Sequence, residues 1–446
     1  MTNNQDFASL CFALPPDIAR RKEAGDLDGA LRLIDRALVQ ENVPEMAARL
    51  RCERIRLERL PKCYPYSEEE AKALLRREWA DMSDAQFAHL LDARRIDWRY
   101  INGQLRCHEN FLESVRIYPQ DAPGLPRKPE DAAAREQMLD RMEEDGGLAA
   151  KIMLHAEIRP REASAGKRIQ AWLPIPAACP QQSGIEILDC TEGAQVAPAD
   201  APQRTIYWDS TERDTFEVTY RYLIRAPYVD LAKIVPDAEQ PSFCLQEEAP
   251  HIVFTPYLRA LCARIVEGKN DPLEKAAAIY AYVTGNVDYR FQPDYLQLDS
   301  IADRCARELR GDCGVMAILF ITLCRIAGIP AQWQSGLSVK PGQAGCHDWA
   351  MFYVAPHGWL WADPSFGSSA RRAGDARRRA HYFGNLDPCR MVANSRFFAP
   401  LTPPDLAWRH DPTDNQLGEM AVDGRGLSGP EMVRSVRTLD FRYLLF

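Results

Sequence analysis

The sequence predicts an α+β protein of several domains, and three observations lead to that prediction. The chain has 446 residues, which is more than a single hydrophobic core usually serves. Its hydrophobic pattern first has a helical period and changes near Lys151 to the two-residue period of strands. Beyond residue 250 both periods occur, with helices first and antiparallel strands after them, which is the order of an α+β domain.

The first 118 residues have the pattern of amphipathic helices. The i, i+3, i+4, i+7 spacing of one apolar face runs through Leu27, Ala30, Leu31, Ile34 and Leu38. Ser67 and Glu70 have the spacing of a capping box at the start of a second helix. Helix pairs of this kind occur in repeat arrays, but no second copy follows, so we predict no repeat. A proline-rich linker then leads to a charged helix over Glu130–Asp145.

Alternating strands follow the linker. Apolar residues alternate with other residues in three runs: Ile152, Leu154, Ala156 and Ile158; Ile169, Ala171, Leu173 and Ile175; and Phe216, Val218, Tyr220, Tyr222 and Ile224. Because segments rich in turn residues separate the runs, they predict an antiparallel β-sandwich.

Elements of both kinds are predicted after the sandwich. We expect helices over Asp271–Thr284 and from Asp312 onward, and strands over Ala331–Val339, Trp349–Val354 and Trp359–Asp363. The pattern of the last residues is less regular and ends in four apolar residues, which we expect to pack on the rest of the protein.

Four parts result from these patterns. They are a helical N-terminal region with its linker at 1–148, the β-sandwich at 149–235, a core of mixed structure at 236–400, and a C-terminal extension at 401–446 that packs on the core.

Composition excludes several classes of function. The net charge is −8 and the pI about 5.6, so we expect neither a nucleic-acid partner nor an anionic membrane surface. No apolar run approaches the roughly 18–20 residues that a membrane helix needs. The first residues lack the basic start of a signal peptide, and Pro15 and Pro16 interrupt their apolar stretch. We therefore expect a cytoplasmic protein, and its oligomeric state stays open.

The cysteines indicate free thiols. Their number, 13, is odd, and their spacing includes neither a disulfide framework nor a zinc motif. In a reducing compartment most such residues are small buried apolar side chains. We expect neither a metal nor an organic cofactor.

One cysteine stands in a different setting. Cys313 follows Asp312, a residue type that caps helices, and precedes an apolar helix that Gly328 can end. In the first turn of a helix the dipole and the free N–H groups stabilise a thiolate and can bind an oxyanion. Gly311 and Gly314 are expected to permit the close approach of a substrate backbone.

Two further residues complete a candidate triad. His347 opens a strand and can take the thiol proton as a general base, and Asp363 ends the next strand and can fix the imidazole tautomer. A four-residue turn over 355–358 would pair Ala350 with Asp363 and turn His347 to the opposite face. The triad therefore requires an odd loop or a β-bulge in this hairpin.

These residues resemble the transglutaminase-like superfamily. The resemblance lies in Gly-Asp-Cys, then His-x-Trp, then Asp-Pro after Gly-Trp-x-Trp-x, and it covers residues 255–370. It implies a papain-like core with Cys313, His347 and Asp363 as the catalytic triad. It also implies acyl transfer from an amide. Tyr289, the segment 329–331 and Gly336 fit the same pattern.

The sequence also departs from the family pattern. Animal transglutaminases have an oxyanion-stabilising tryptophan upstream of the cysteine, but none occurs between Trp208 and Trp333. Tyr289 or Gln292 is a candidate replacement. Asp312, Gly314 and Trp333 are further candidates for the oxyanion site or the cleft. No acidic calcium loop is present either, and both departures favour the bacterial hydrolytic relatives.

Several functions stay open at this point. We favour water as the acyl acceptor, hence a peptidase or amidase acting on a peptide or other amide. The alternatives are transfer to an amine, as in true transglutaminases, a non-catalytic peptide-binding scaffold, and another reaction on the same fold with a non-peptide substrate. The N-terminal helices could equally form a partner-binding module. The basic run over 371–379 is either a solvated face or an anion-binding surface.

Overall fold

The structure is a computed structural model that describes residues 4–126, 132–164, 166–404, 409–444 and 446. It combines helices with mainly antiparallel sheets, which confirms the α+β prediction. Among the described helices, none joins the length and the apolar character that a membrane span requires.

Short helices and a small sheet form the N-terminal region. These elements are α1 (Pro16–Glu23), α2 (Leu27–Gln40), α3 (Pro44–Cys63), β1 (Tyr66–Ser67), α4 (Glu68–Glu78), α5 (Asp84–Asp92), β2 (Trp98–Ile101), β3 (Gln104–Cys107) and α6 (Phe111–Arg116). The predicted apolar stripe buries Leu27, Ala30 and Ile34 of α2. Ser67 and Glu70 form the predicted capping box at the start of α4.

The linker helix and the first strands of the sandwich come next. These elements are α7 (Ala132–Asp145), β4 (Gly147–Pro160), β5 (Ile169–Pro174), β6 (Gln182–Cys190), β7 (Gln195–Val196), β8 (Thr205–Ser210) and β9 (Phe216–Pro227). The two-residue alternation is confirmed, because the apolar positions of β4 and β9 are buried and the residues between them are more exposed. The first two residues of the predicted linker helix lie outside the described residues.

Six helices, two short parallel strands and an antiparallel sheet build the described core. Its elements are α8 (Pro256–Ile265), α9 (Pro272–Asn286), β10 (Asp288–Tyr289), α10 (Ile301–Glu308), β11 (Arg310–Gly311), α11 (Cys313–Ile326), β12 (Ala331–Lys340), β13 (Gln343–Val354), β14 (Gly358–Ala362), α12 (Pro364–Arg372), α13 (Ala376–His381), β15 (Phe383–Gly384) and β16 (Arg390–Asn394). The sheet has the order β15–β14–β13–β12–β16, and the apolar helix α11 packs against β13. The predicted helices and strands are thus present, with ends that differ by a few residues.

The strands of the C-terminal segment join the sandwich, which the sequence did not predict, and the residues before them contact the core, for example Gln416 with His347. The strands are β17 (Glu419–Val422), β18 (Arg425–Gly426) and β19 (Met432–Leu444). β19 pairs with β4 along its length and β17 pairs with β5. The two sheets therefore have the orders β19–β4–β9–β6 and β18–β17–β5–β8–β7. The alternation in β19 is weaker than in β4 because its outer side lies at a sheet edge, so periodicity alone did not predict it.

Apolar packing joins these parts. Leu337, Val339 and Met391 of the core sheet lie in the same buried cluster as the sandwich residues Trp208 and Phe216. The N-terminal region contacts the core through hydrogen bonds, among them those of Arg56 and Tyr118.

Candidate active site

The first turn of α11 carries Cys313. The Asp312 carboxylate accepts a hydrogen bond from the Val315 N–H at 3.2 Å, so Asp312 is the predicted N-cap. Tyr295 donates its hydroxyl to the same carboxylate. Cys313 is the first helical residue and is 9% exposed. The thiol thus lies at a fixed position on a helix that the protein core surrounds.

The two glycines near Cys313 lie so close to other residues that internal packing already requires their lack of a side chain. A Cβ atom at Gly314 would lie 2.2 Å from the Tyr295 hydroxyl oxygen and 2.8 Å from the Trp333 ring. A Cβ atom at Gly311 would lie 2.4 Å from a methyl group of Val315. Tyr295 and Trp333 therefore reach the start of α11 only because position 314 has no side chain.

The hairpin of β13 and β14 has the odd loop that the triad required. Ala350 pairs with Ala362 and Val354 pairs with Gly358, which leaves a three-residue loop over 355–357. His347 and Asp363 therefore lie on the same face of the sheet. Their side chains meet, with His347 Nε2 and Asp363 Oδ2 2.7 Å apart.

The His347–Asp363 pair is buried and has several partners. Asp363 is fully buried and accepts hydrogen bonds from the Ser365 hydroxyl and the Phe366 N–H, each at 2.9 Å. Burial alone would raise the pKa of the Asp363 carboxyl, but His347 and Arg390 hold it well below its usual range. The imidazole stacks on the Phe366 ring, with 4.3 Å between the centroids. Asp363 is thus an anion that fixes the orientation of the imidazole.

Arg390 is a residue of this site that the sequence did not reveal. Its guanidinium is 1% exposed and lies 2.8 Å from an Asp363 oxygen and 3.0 Å from an Asp387 oxygen. The Tyr382 hydroxyl donates to Asp387 at 2.8 Å. Asp387 and Pro388 are residues typical of turns, and they indicate a turn shortly before Arg390. Only the fold shows that this turn brings Arg390 to Asp363.

The Cys313 thiol contacts Asp348 rather than His347. Its sulfur lies 3.1 Å from Asp348 Oδ2 and donates to it. In the described part of the chain no hydrogen bond joins Cys313 to His347, and the Nδ1 atom of His347 makes none. Burial and the carboxyls of Asp348 and Asp312 raise the pKa of the Cys313 thiol well above its usual range. The helix terminus alone had predicted the opposite direction.

Asp348 belongs to a buried acidic group that includes the C-terminal segment. The Gln416 side-chain amide donates to Asp348 Oδ1 at 2.7 Å and to the His347 carbonyl at 3.2 Å. Burial raises the pKa of the Asp348 carboxyl well above its usual range, and the Asp414 carboxyl adds to this effect. Burial also raises the pKa of Asp414 to about 6, although the Ser335 hydroxyl donates to it. The sequence motif assigned no role to Asp348. No local sequence pattern connects Asp348 with the residues near position 415.

The candidates for the oxyanion site lie in different surroundings. The Tyr289 hydroxyl neighbours the thiol, and burial followed by the charge of Cys313 raises its pKa well above its usual range. The Gln292 side-chain amide instead donates to the Arg290 carbonyl at 2.9 Å. Trp333 is 2% exposed, and its indole N–H has no hydrogen-bond partner in the described part of the chain. Tyr289 is thus the candidate donor that lies beside the sulfur.

The segment that carries Tyr289 and Tyr295 rests on the N-terminal region. The Tyr118 hydroxyl donates to the Tyr289 carbonyl at 2.8 Å. Arg56 of α3 donates to the carbonyls of Leu296 and Gln297, each at 2.8 Å. The N-terminal helices therefore support one side of the thiol pocket.

The basic run binds protein groups rather than facing a cleft. Arg377 forms ion pairs with Asp140 and Glu143 of α7, and Arg379 donates to Thr284 of α9. These contacts fix α13 to its neighbours.

A possible metal-binding cluster lies elsewhere. His155, Glu157 and Glu217 of the sandwich hold ligand atoms within 4.8 Å of one another. The cluster contains none of the predicted catalytic residues.

Comparison with known proteins identifies a family for part of the chain. Residues 259–364 match the family model of the transglutaminase-like superfamily, so this part of the chain is a transglutaminase-like domain. Among curated proteins, none matches the chain.

The solved structures that the chain matches include those of proteins from three bacteria. A candidate cysteine protease from Cytophaga hutchinsonii has a TM-score of 0.43 and 16% identity, covering 67% of this chain and 93% of its own. The periplasmic domain of TgpA from Pseudomonas aeruginosa has a TM-score of 0.28 and 14% identity, covering 55% of this chain and 95% of its own. A candidate protease from Parabacteroides distasonis has a TM-score of 0.22 and 12% identity, covering 46% of this chain and 42% of its own.

Proposed function

We propose that this chain, which carries a transglutaminase-like domain, is a cysteine hydrolase that cleaves peptide or other amide bonds. The observation that carries the proposal is the buried hydrogen bond of 2.7 Å between His347 Nε2 and Asp363. It leaves Nδ1 as the ring nitrogen that can act on a thiol. Cys313 is the thiol in question, because its sulfur contacts the residue that follows His347 in the same strand.

The reaction begins with activation of the thiol. His347 Nδ1 accepts the Cys313 proton, and Asp363 stabilises the imidazolium that forms. Since the sulfur donates to Asp348 at rest, this step requires a rotation of the Cys313 side chain from the carboxyl towards the imidazole. The thiolate is then free of the carboxyl that raises its pKa.

Acyl transfer follows in two steps. The thiolate sulfur bonds to the amide carbonyl carbon, and the carbonyl oxygen takes the negative charge beside the N–H groups of the first turn of α11 and the Tyr289 hydroxyl. The carbon–nitrogen bond breaks, and the imidazolium gives its proton to the departing amine. Water then attacks the thioester carbon while His347 takes a proton from that water. The carbon–sulfur bond breaks, the imidazolium returns the proton to the sulfur, and the carboxylic acid leaves.

A product analysis tests this proposal. The purified full chain is incubated with a tryptic peptide mixture, with and without a fluorescent primary amine, and the products are identified by mass spectrometry. We expect new peptide carboxyl termini, and their loss in the Cys313→Ala and His347→Ala variants. Conjugates of glutamine side chains with the amine would instead assign a transglutaminase. Products that persist in Cys313→Ala would contradict the proposal.

A further inference from the structure

A cavity of about 440 Å³ lies where three parts of the chain meet. Arg59 and Lys62 of α3 form one wall, Asp294 of the core forms another, and Arg434 of β19 belongs to a third. Its volume falls within the range of about 300–1,000 Å³ that is usual for ligand sites. No residue of the predicted triad lines it.

The cavity lies next to the candidate active site. Leu417 lines it, and the preceding residue, Gln416, donates to the Asp348 carboxyl that holds the Cys313 thiol. Asp294 also lines it, and the following residue, Tyr295, donates to the N-cap of α11. The cavity is therefore connected to the surroundings of Cys313 through Gln416 and Asp348 on one side and through Tyr295 and Asp312 on the other.

Arg434 is also within electrostatic reach of the triad strand. Burial and the Asp348 carboxyl raise the pKa of the Cys346 thiol, and the Arg434 guanidinium lowers it. Cys346 precedes His347 in β13. The charge of Arg434 therefore acts on the residue that precedes His347 in β13.

The charge of the cavity is mainly positive. Its lining includes the cations Arg59, Lys62, Arg161 and Arg434 and the carboxyls of Glu109 and Asp294. Burial and the neighbouring Asp294 raise the pKa of Glu109 to about 7, so this carboxyl is partly protonated at neutral pH. Burial lowers the pKa of His410, which is therefore neutral.

Arg434 differs from the other cations of the cavity. Lys62 lies 3.4 Å from Glu431, and Arg161 donates to the Pro430 carbonyl at 2.7 Å. The half-buried Arg434 guanidinium makes no hydrogen bond or close ion pair with the described residues, although its charge lowers the pKa of Glu109 in the same cavity. A planar guanidinium in a partly desolvated cavity is suited to bidentate binding of a carboxylate.

We propose that this cavity binds a carboxylate of the substrate next to the scissile amide, with Arg434 as the residue that selects it. The inference rests on the proposed function, because it makes the cavity a subsite of the same thiol. It also gives the N-terminal helices a role, since they supply one wall of that subsite.

Binding can be measured without turnover. Full-length Cys313→Ala protein is titrated with two acetylated tetrapeptides, one with a C-terminal amide and a glutamate side chain, the other with a free C-terminus and neutral side chains. The matched variants are Arg434→Gln and Arg437→Gln, the latter an exposed arginine on the same strand. Whichever peptide binds, we expect at least tenfold weaker affinity in Arg434→Gln and unchanged affinity in Arg437→Gln. The stronger peptide distinguishes a side-chain carboxylate from a terminal one.

Two results would overturn the inference. One is binding of neither peptide, and the other is equal affinity in Arg434→Gln and Arg437→Gln. Turnover dependent on Cys313 with no preference for carboxylate-bearing peptides would reject the subsite and leave the hydrolase intact. Binding dependent on Arg434 without any turnover would reject the hydrolase and leave the subsite intact.

Discussion

Asp348 is the residue in which this chain departs most clearly from a simple Cys-His-Asp site. The Asp348 carboxyl lies 3.1 Å from the Cys313 sulfur, so each group opposes the ionisation of the other, because two adjacent negative charges repel. Gln416 fixes the carboxyl in that position. The thiol of the resting protein is therefore protonated and weakly nucleophilic until it meets the imidazole.

Substitution of Asp348 by asparagine is expected to activate the thiol. In Asp348→Asn the amide cannot oppose a thiolate, so the pKa of Cys313 falls, and each unit of that fall gives about a tenfold higher thiolate fraction below the pKa. We expect Cys313 to react with iodoacetamide at least about tenfold faster at pH 7.5. Peptide mapping by mass spectrometry separates Cys313 from the other cysteines.

A distant carboxylate provides the control for this measurement. Asp189→Asn removes an exposed carboxylate of the sandwich and should leave the rate unchanged. A slower or equal rate in Asp348→Asn would show that the carboxyl does not suppress the thiol.

Arg390 is expected to stabilise the fold through Asp363 and Asp387. In Arg390→Met both buried carboxylates lose their cation, and loss of one partner of a buried ion pair costs about 3–5 kcal/mol. Urea unfolding should therefore show a drop of that size in the free energy of unfolding. Adding Asp387→Asn should restore part of it, because only Asp363 then lacks the arginine. A change below about 1 kcal/mol in Arg390→Met would contradict this role.

At the level of elements, the hairpin and the helix cap could be predicted from the sequence. Asp312 before Cys313 is a local capping signal, and the parity of positions 347 and 363 sets a condition that an odd loop or a β-bulge meets. Arg390 and Gln416 could not be predicted, because each reaches the site across a long stretch of chain. Tertiary contacts of this kind leave no periodic or local pattern in a single sequence.

Strand β19 illustrates the same limit and offers a test. Val436 packs against the apolar cluster of the sandwich, and the next residue, Arg437, is exposed. An inward asparagine at position 436 loses apolar burial and places an amide against the cluster, so we expect Val436→Asn to reduce the free energy of unfolding by about 1–3 kcal/mol. Thermal unfolding measured by circular dichroism checks this.

Arg437→Asn introduces the same residue on the outer face. Its unfolding temperature should remain within experimental error of the unmodified chain. Equal effects at the two positions would argue against the inward and outward alternation of β19.

At the level of the whole molecule, the predicted core depends on its neighbours. Leu337, Val339 and Met391 pack into the sandwich cluster, and Arg56 of the N-terminal region holds the segment beside the thiol. The predicted domain boundaries at residues 236 and 400 follow the sequence pattern. The apolar cluster of the sandwich nevertheless contains residues from both sides of these boundaries.

The isolated fragment 236–400 is therefore expected not to fold cooperatively. Without the sandwich its sheet exposes these apolar side chains to water, which favours aggregation or a loosely packed state. Near-ultraviolet circular dichroism and thermal unfolding of the fragment, compared with the full chain, measure this. A sharp unfolding transition of the soluble fragment would contradict the shared core.

The activation of Cys313 by His347 is tested most directly by the pH profile of its alkylation. The rate of iodoacetamide labelling at Cys313 is measured from pH 5 to pH 10 in the unmodified chain and in His347→Ala. If the imidazole takes the thiol proton, its removal shifts the profile to higher pH and lowers the rate at pH 7 at least about tenfold. Superimposable profiles would contradict the role of His347 as the base for Cys313.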